Sequence, residues 1–289
     1  MWLPREPRKN FTSHSTRHFS VSYRRFLPML ISLQPDPIST ALKAPLVVVI
    51  PIYNEATTIE SVVSEWSNCF SSLGIMCQFL LLNDGSKDNT LEVLRGMEAV
   101  APEKLVVVDK PNSGHGRSCR LGYSAAVGSP SVEWILQIDS DGQCDPGYFK
   151  EFWAKRSGAD CVFGRRVRRD DGTARMLTSK ICKLGSTLLG GRDMVDPNVP
   201  YRLMRREILA EALSRIPASF DIHNVAITFI LKQNLNIRWE YVPIRFRDRQ
   251  GGSNSINLLN VAHLGTSMLF DLAKLKKSHP SQELPKTFQ

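Results

Sequence analysis

The chain has no apolar run of about 18 residues, so nothing in its sequence reads as a membrane-spanning helix. Its six cysteines (Cys69, Cys77, Cys119, Cys144, Cys161 and Cys182) include no Cys-x-x-Cys pair and no paired histidine spacing, which argues against a zinc site. Cysteines without a framework read as reduced thiols, the state of a reducing, cytoplasmic compartment. No Gly-x-Gly-x-x-Gly follows the first strand-like run. Gly114-His-Gly116 comes after the third, with Cys119 where a third glycine falls, so a dinucleotide fold is disfavoured. The chain also lacks a basic body. The formal charge is +9, but residues 1–33 hold six Lys/Arg against Glu6, a net of +5, and residues 274–289 hold four lysines against Glu283, a net of +3. The remainder is left near +1. No basic stripe with interleaved aromatics crosses it, so nucleic acid is not an expected partner.

What is present is alternation. Leu46–Ile50 is a β-branched run closed by Pro51, and helical spacing follows from Glu55 to Phe70. Gln78–Leu82 breaks at Asn83-Asp-Gly-Ser86, and a helix starts at Asp88-Asn-Thr90. Leu105–Val108 leads through Pro111-Asn-Ser-Gly-His-Gly116 into a helix to about Val127, and Ala159–Gly164 is a fifth strand. Repeated strand–helix units of this length predict an α/β fold, a mostly parallel central sheet with helices on both faces. In the second half, Thr173–Leu189, Glu207–Arg215 and His223–Gln233 are predicted helical, and Ile237–Phe246 a strand. Leu258 to Leu275 carries a helical apolar stripe ending in Lys274, Lys276 and Lys277. That stripe either packs on the sheet or lies on an anionic membrane surface, where a peripheral protein would sit on the cytoplasmic face. The expected organisation is a basic arm over 1–44, a catalytic domain over 45–255, an amphipathic helix over 256–277 and a tail over 278–289. Residues 1–33 read as a transit-like segment, a disordered arm, or residues upstream of a start at Met29.

The chemistry concentrates where strands end. Trp134-Ile-Leu-Gln-Ile-Asp-Ser-Asp-Gly-Gln143 is an apolar strand breaking at two carboxylates, Asp139 and Asp141. In an open parallel sheet the carboxyl ends of strands face the ligand crevice. Paired carboxylates there suit a hard cation such as Mg²⁺ or Mn²⁺ that also takes substrate phosphates, with Gln143 on a metal-bound water or a phosphate oxygen. Pro51-Ile-Tyr-Asn-Glu55 could lay the Tyr53 ring against a base, and Asp84 could accept from a base N–H. Each has a plainer reading: Asn54 as a helix cap, Asp84 as a turn former, Asp139 as a cap. Those readings leave unexplained why acids recur at successive strand ends.

Val49-Ile-Pro-Ile-Tyr-Asn-Glu55, Asn83-Asp-Gly-Ser-Lys-Asp-Asn-Thr90, Asn112-Ser-Gly-His-Gly116 and Asp139-Ser-Asp-Gly-Gln143, in this order and spacing, resemble the successive blocks of family 2 glycosyltransferases of the GT-A fold. The resemblance runs from about residue 45 to 255. Its later part, Gly164-Arg-Arg166, Asp196-Pro-Asn-Val-Pro-Tyr-Arg202 and Phe246-Arg-Asp-Arg-Gln-Gly-Gly-Ser253, is similar to the branch of dolichyl-phosphate mannosyltransferase and polyprenyl-phosphate glycosyltransferases. It implies a single GT-A-like domain that transfers a sugar, with inversion, from a GDP-mannose- or UDP-glucose-type donor to a polyprenyl or dolichyl phosphate. By position, Pro51, Tyr53, Glu55 and Asp84 would hold the nucleoside, and Asp139, Asp141 and Gln143 would hold the metal. Arg166, Arg202 and Arg249 would face donor or acceptor phosphates, with Ser253 beside them. Asp221, beside His223, stands where the family often carries an acid. It would serve as base if the acceptor were instead a saccharide in surface-polysaccharide assembly; the plainer reading makes it a helix cap. A non-catalytic nucleotide-binding relative of the fold is the alternative outside enzymes. Asn83 departs from the family's first aspartate, Pro200 from its glycine, and Asn254 from a frequent lysine.

Overall fold

The computed structural model describes residues 36–167, 194–217, 220, 223–249 and 273. The predicted helices at 173–189 and 258–275, the arm before residue 36, Asp221 and Ser253 lie outside the described residues.

Seven strands form one sheet: β1 (Leu46–Ile52), β2 (Cys77–Asp84), β3 (Leu105–Lys110), β4 (Trp134–Gln137), β5 (Cys161–Arg166), β6 (Arg202–Arg205) and β7 (Trp239–Ile244). Their order is β3-β2-β1-β4-β6-β5-β7. All neighbours are parallel except at β6, which runs antiparallel to both β4 and β5. The helices are α1 (Pro37–Ala41), α2 (Ile59–Ser72), α3 (Thr90–Val100), α4 (His115–Gly128), α5 (Phe149–Lys155), α6 (Arg206–Arg215) and α7 (His223–Gln233). The predicted class and its strand–helix alternation are what the chain adopts.

β1 is buried at every position, as a central parallel strand covered on both faces must be. The two faces can be told apart by residue parity. Val49 and Leu82 meet Gly122 of α4, where an added Cβ would come within 2.5 Å of Val49 Cγ1 and 2.7 Å of Leu82 Cδ1. On the other face Phe79 packs against Phe70 of α2, ring centroids 5.8 Å apart. That face continues as an aromatic cluster in which Trp66, Phe70, Phe149, Phe152 and Tyr201 meet edge-on or stacked. α6 and α7 pack beside α4.

Two expectations are corrected. The first strand does not close before Pro51 but continues through it to Ile52. Ile138 N–H donates to Val49 O at 3.3 Å, so Val49, and Pro51 two residues on, turn their backbone groups toward β4. The β1–β4 ladder ends at Val49 paired with Gln137, so the missing Pro51 N–H has no partner to lose. The folded body also begins before residue 45. Asp36 caps α1 by accepting from Ile38 N at 3.2 Å, and Leu42 is buried in the core.

Candidate active site

β2, β1 and β4 lie side by side and parallel, so their carboxyl ends share one rim. Chain order reverses between β1 and β4, the position where open α/β sheets hold ligands. Glu55 follows β1, Asp84 ends β2, and Asp139 and Asp141 follow β4. The acids that sequence alone placed at strand ends are thus gathered on one edge.

Asp139 accepts from Gln137 Nε2 at 3.1 Å and lies 3.0 Å from His115 Nε2, the first residue of α4. Burial alone would raise its pKa, but the histidine and the amide hold it below the usual carboxylate range. The His115 ring, half-exposed, is pushed up by the Cys119 sulfur 3.8 Å away and by Asp139. Asp141 behaves oppositely. Burial and the neighbouring Asp139 charge raise it, although Gln143 N–H donates to Oδ1 and Arg249 Nε to Oδ2, each at 3.1 Å. Glu55 is raised chiefly by burial, with Asp141 adding repulsion, while Thr58 Oγ1 donates to its Oε2 at 2.8 Å. One corner of the rim therefore holds crowded negative charge, and Arg249 is the cation that answers it.

Arg249 is brought there by a clamp on the segment after β7. Arg247 N–H donates to Gln143 O at 3.0 Å, Gln143 Nε2 donates back to Arg247 O at 3.3 Å, and the Arg247 guanidinium reaches Glu65 and Asp145, each at 2.6 Å. The amide nitrogen of Gln143 is thus spent on backbone while its oxygen remains an available donor atom.

Asp84 is buried and heavily engaged. Its oxygens accept from Ser113 N at 2.8 Å, Gly114 N at 2.9 Å and Lys110 Nζ. Burial would raise its pKa, but these donors lower it. It organises the loop before α4, a role its plainer reading as a turn former half anticipates. Asn54, in the left-handed region at φ 57°, does not cap α2. Its Oδ1 accepts from Lys87 N at 2.7 Å and its backbone N–H donates to Ser86 Oγ at 2.9 Å, stitching the first rim loop to the second. Asn83, where the family has aspartate, donates to Asp109 Oδ1 at 2.7 Å. Pro51 is buried inside β1, whereas the Tyr53 ring stands 41% exposed at the rim.

The arginines divide. Arg166 makes a bidentate pair with Asp196, Nε to Oδ2 at 2.6 Å, and its guanidinium lies over Phe246. Arg202 does not reach the rim as the resemblance implies. It is fully buried, donates to the carbonyls of Val199 (2.9 Å), Asn224 (3.1 Å) and Pro197 (3.0 Å), and stacks over Phe163. A guanidinium with five donors can satisfy several inward carbonyls at once, so it serves the packing of the loop before β6 and the start of α7. His115 and Gln137, both on Asp139, were not singled out from sequence. The only signal for His115 is its place in the Asn112–Gly116 block, and for Gln137 a polar residue in an otherwise apolar strand.

A mostly parallel sheet with this acidic rim at its switch point has the layout of a GT-A glycosyltransferase. The chain belongs to glycosyl transferase family 2, whose sequence pattern matches residues 47–213. The undecaprenyl-phosphate 4-deoxy-4-formamido-L-arabinose transferase of Salmonella paratyphi B is 26% identical over 235 residues, which is 81% of this chain and 68% of that protein. The protein of the same name from Klebsiella pneumoniae matches equally well, 26% over 235 residues. Among solved structures, glucosyl-3-phosphoglycerate synthase from Mycobacterium tuberculosis, in complex with Mn²⁺, UDP and glucosyl-3-phosphoglycerate, superimposes with a TM-score of 0.57 at 19% identity, covering 82% of each chain. Mannosyl-3-phosphoglycerate synthase from Rubrobacter xylanophilus gives 0.58 at 18% identity, covering 89% of this chain and 83% of that one. These likenesses show the GT-A fold.

Proposed function

We propose that this glycosyltransferase moves a sugar, with inversion, from a nucleotide-sugar donor of the GDP-mannose or UDP-glucose type to a polyprenyl phosphate. The observation that carries the reading is the corner formed by Asp139, Asp141 and Arg249. Two carboxylates whose charges repel lie at a ligand-facing strand end, and Asp141 is met by Arg249, a side chain from a later segment. The names of the polyprenyl-phosphate relatives support the acceptor, and the Mn²⁺ and UDP bound by the structural neighbour from Mycobacterium tuberculosis support the donor class.

The donor atoms fit a divalent ion. Among the described residues no three His, Cys, Asp or Glu side chains form a complete metal cage. A site of two carboxylates plus substrate phosphates is the arrangement Mg²⁺ and Mn²⁺ accept, and both ligand types are hard oxygens. Asp139 and Asp141, with the Gln143 side-chain oxygen, would hold it. Such an ion supplies neutralisation of the charge on the departing diphosphate. The chain's own groups do the rest. Arg249 presents a planar fork that suits a phosphate once a donor competes with Asp141 for it. Tyr53, exposed at the rim, stacks on the base, and Glu55 and Pro51 wall the nucleoside pocket. An oxygen of the acceptor phosphate attacks the anomeric carbon. The bond from that carbon to the diphosphate oxygen breaks as it forms, its electron pair leaving with the nucleoside diphosphate. A phosphate monoester is already ionised near neutral pH and needs no base.

The test is transfer from a panel of labelled nucleotide sugars to a short polyprenyl phosphate. Wild type is expected to form a labelled lipid that EDTA abolishes, and Asp139→Ala and Asp141→Ala to lose about 100-fold or more of the rate. Undiminished transfer by both variants would sink the proposal.

A further inference from the structure

Behind the acidic corner lies a polar chain that crosses the core. Gln137, at the end of β4, Tyr123 on α4 and Asn224 in the first turn of α7 are buried, at 0%, 0% and 4% exposure. Tyr123 Oη donates to Asn224 Oδ1 at 2.8 Å, Asn224 Nδ2 donates to Gln137 Oε1 at 3.1 Å, and Gln137 Nε2 donates to Asp139 Oδ1 at 3.1 Å. The order of donors is dictated by the two ends. A carboxylate can only accept, so Gln137 must show it the amide nitrogen and turn its oxygen inward. Asn224 must then offer its own nitrogen to that oxygen, which leaves its oxygen for the single hydrogen of the Tyr123 hydroxyl. Neither amide can be reversed without setting two acceptors or two donors face to face in the core, where an unmade bond is costly, and the Tyr123 hydroxyl, 3.4 Å from Gln137 Oε1 as well, meets acceptors on both. The backbone of Asn224 is held as well, its carbonyl accepting from Arg202 Nη1 at 3.1 Å.

We propose that Tyr123, Asn224 and Gln137 are positioning residues that orient Asp139 for its divalent cation, so that the first turn of α7 governs how tightly the donor-side metal is held. The inference rests on the proposed metal role of Asp139. It follows from geometry: Gln137 and His115 both engage Oδ1 of Asp139, at 3.1 and 3.0 Å, which fixes the carboxylate plane and leaves Oδ2 to a ligand. Partners of this kind are worth about 10- to 100-fold in metal affinity.

The experiment titrates Mn²⁺ into wild type and variants in the presence of UDP and, separately, GDP. It reads the Mn²⁺ dissociation constant from electron paramagnetic resonance, with Tm recorded for each protein. Gln137→Met, close in shape and without a donor, is expected to weaken Mn²⁺ about tenfold or more. Tyr123→Phe removes one hydroxyl and is expected to weaken it by about two- to fivefold, a fraction of that direct effect. Asn224→Asp separates two accounts, because a charge added near the site would by itself tighten a cation. The chain instead predicts weaker binding, because Gln137 has one amide nitrogen for two flanking carboxylates and the new one competes with Asp139 for it. Val225→Ala, a buried truncation on the same helix, is expected to lower Tm and leave the constant unchanged.

Wild-type constants in Gln137→Met and Tyr123→Phe would overturn the inference, as would tighter binding in Asn224→Asp or equal weakening in Val225→Ala. If Gln137→Met does not fold, Tyr123→Phe and Asn224→Asp decide. A wild type that binds no Mn²⁺ with either nucleotide overturns the metal reading of the site, and this inference with it, which the variant results alone could not do.

Discussion

Arg202 and Arg249 are the same residue type on neighbouring family blocks, and they are predicted to fail in opposite ways. Arg202→Ala strips the Val199 carbonyl of its guanidinium donors, leaves the Pro197 and Asn224 carbonyls to Thr228 Oγ1, and opens a void beside Phe163, a loss of about 3 kcal/mol of stability read from the denaturant midpoint. Arg249→Ala is expected to stay near the wild-type midpoint and lose transfer, because the Arg249 side chain is itself half-exposed and its removal opens the buried Asp141 to water. An Arg249 variant that unfolds early, or an Arg202 variant as stable as wild type, would reverse these assignments. Asp84 gives a pH prediction. Its folded pKa lies below the unfolded value of about 4, so its contribution is fully present above that value and is lost as pH falls through the folded pKa. Asp84→Asn should therefore be less stable than wild type near neutrality and show a shallower loss of stability on acidification. Parallel acid-unfolding curves for the two proteins would contradict this. Sequence marked Asp84 as a turn former or a base reader, but could not show that Lys110 and two loop N–H groups engage it, since those lie more than 20 residues away.

The elements were more legible than their contacts. Strand–helix alternation placed β1 to β5, α6, α7 and β7 near their observed positions because hydrophobic periodicity is local. The reversal of β6 was not readable, since strand direction depends on which edge remains open when the chain returns. Pro51 read as a strand stop, yet β1 runs through it because the neighbouring ladder ends first. Gly122 shows the same limit. Nothing local marks it, but α4 approaches β1 and β2 so closely that a methyl there would overlap Val49 and Leu82. Gly122→Ala is predicted to cost about 1–3 kcal/mol, measured by thermal or denaturant unfolding. A neutral result would mean that α4 can lift from the sheet freely.

At the scale of the whole molecule, charge is partitioned between a near-neutral body and two basic ends. No helix among the described residues is long and apolar enough to cross a membrane. A polyprenyl-phosphate acceptor is presented at a lipid surface, so the basic ends are predicted to mediate attraction to it. Sedimentation with anionic vesicles should be strong at low salt, fall at high salt, and drop on deletion of residues 1–33 and 274–289. Binding that survives both treatments would assign the contact to the body instead.

The order of motifs, the acids at strand ends and the α/β class were determined by the sequence itself, because strands and turns are specified by neighbours within a few residues. Only the tertiary structure decided which of those residues stand together. It set Arg202 in the core and Arg249 on Asp141, clamped Gln143 to Arg247, and connected Asp139 through Gln137 and Asn224 to Tyr123. Each of those pairings joins elements separated along the chain, and a side chain's partner across such a distance is set by how the helices settle on the sheet.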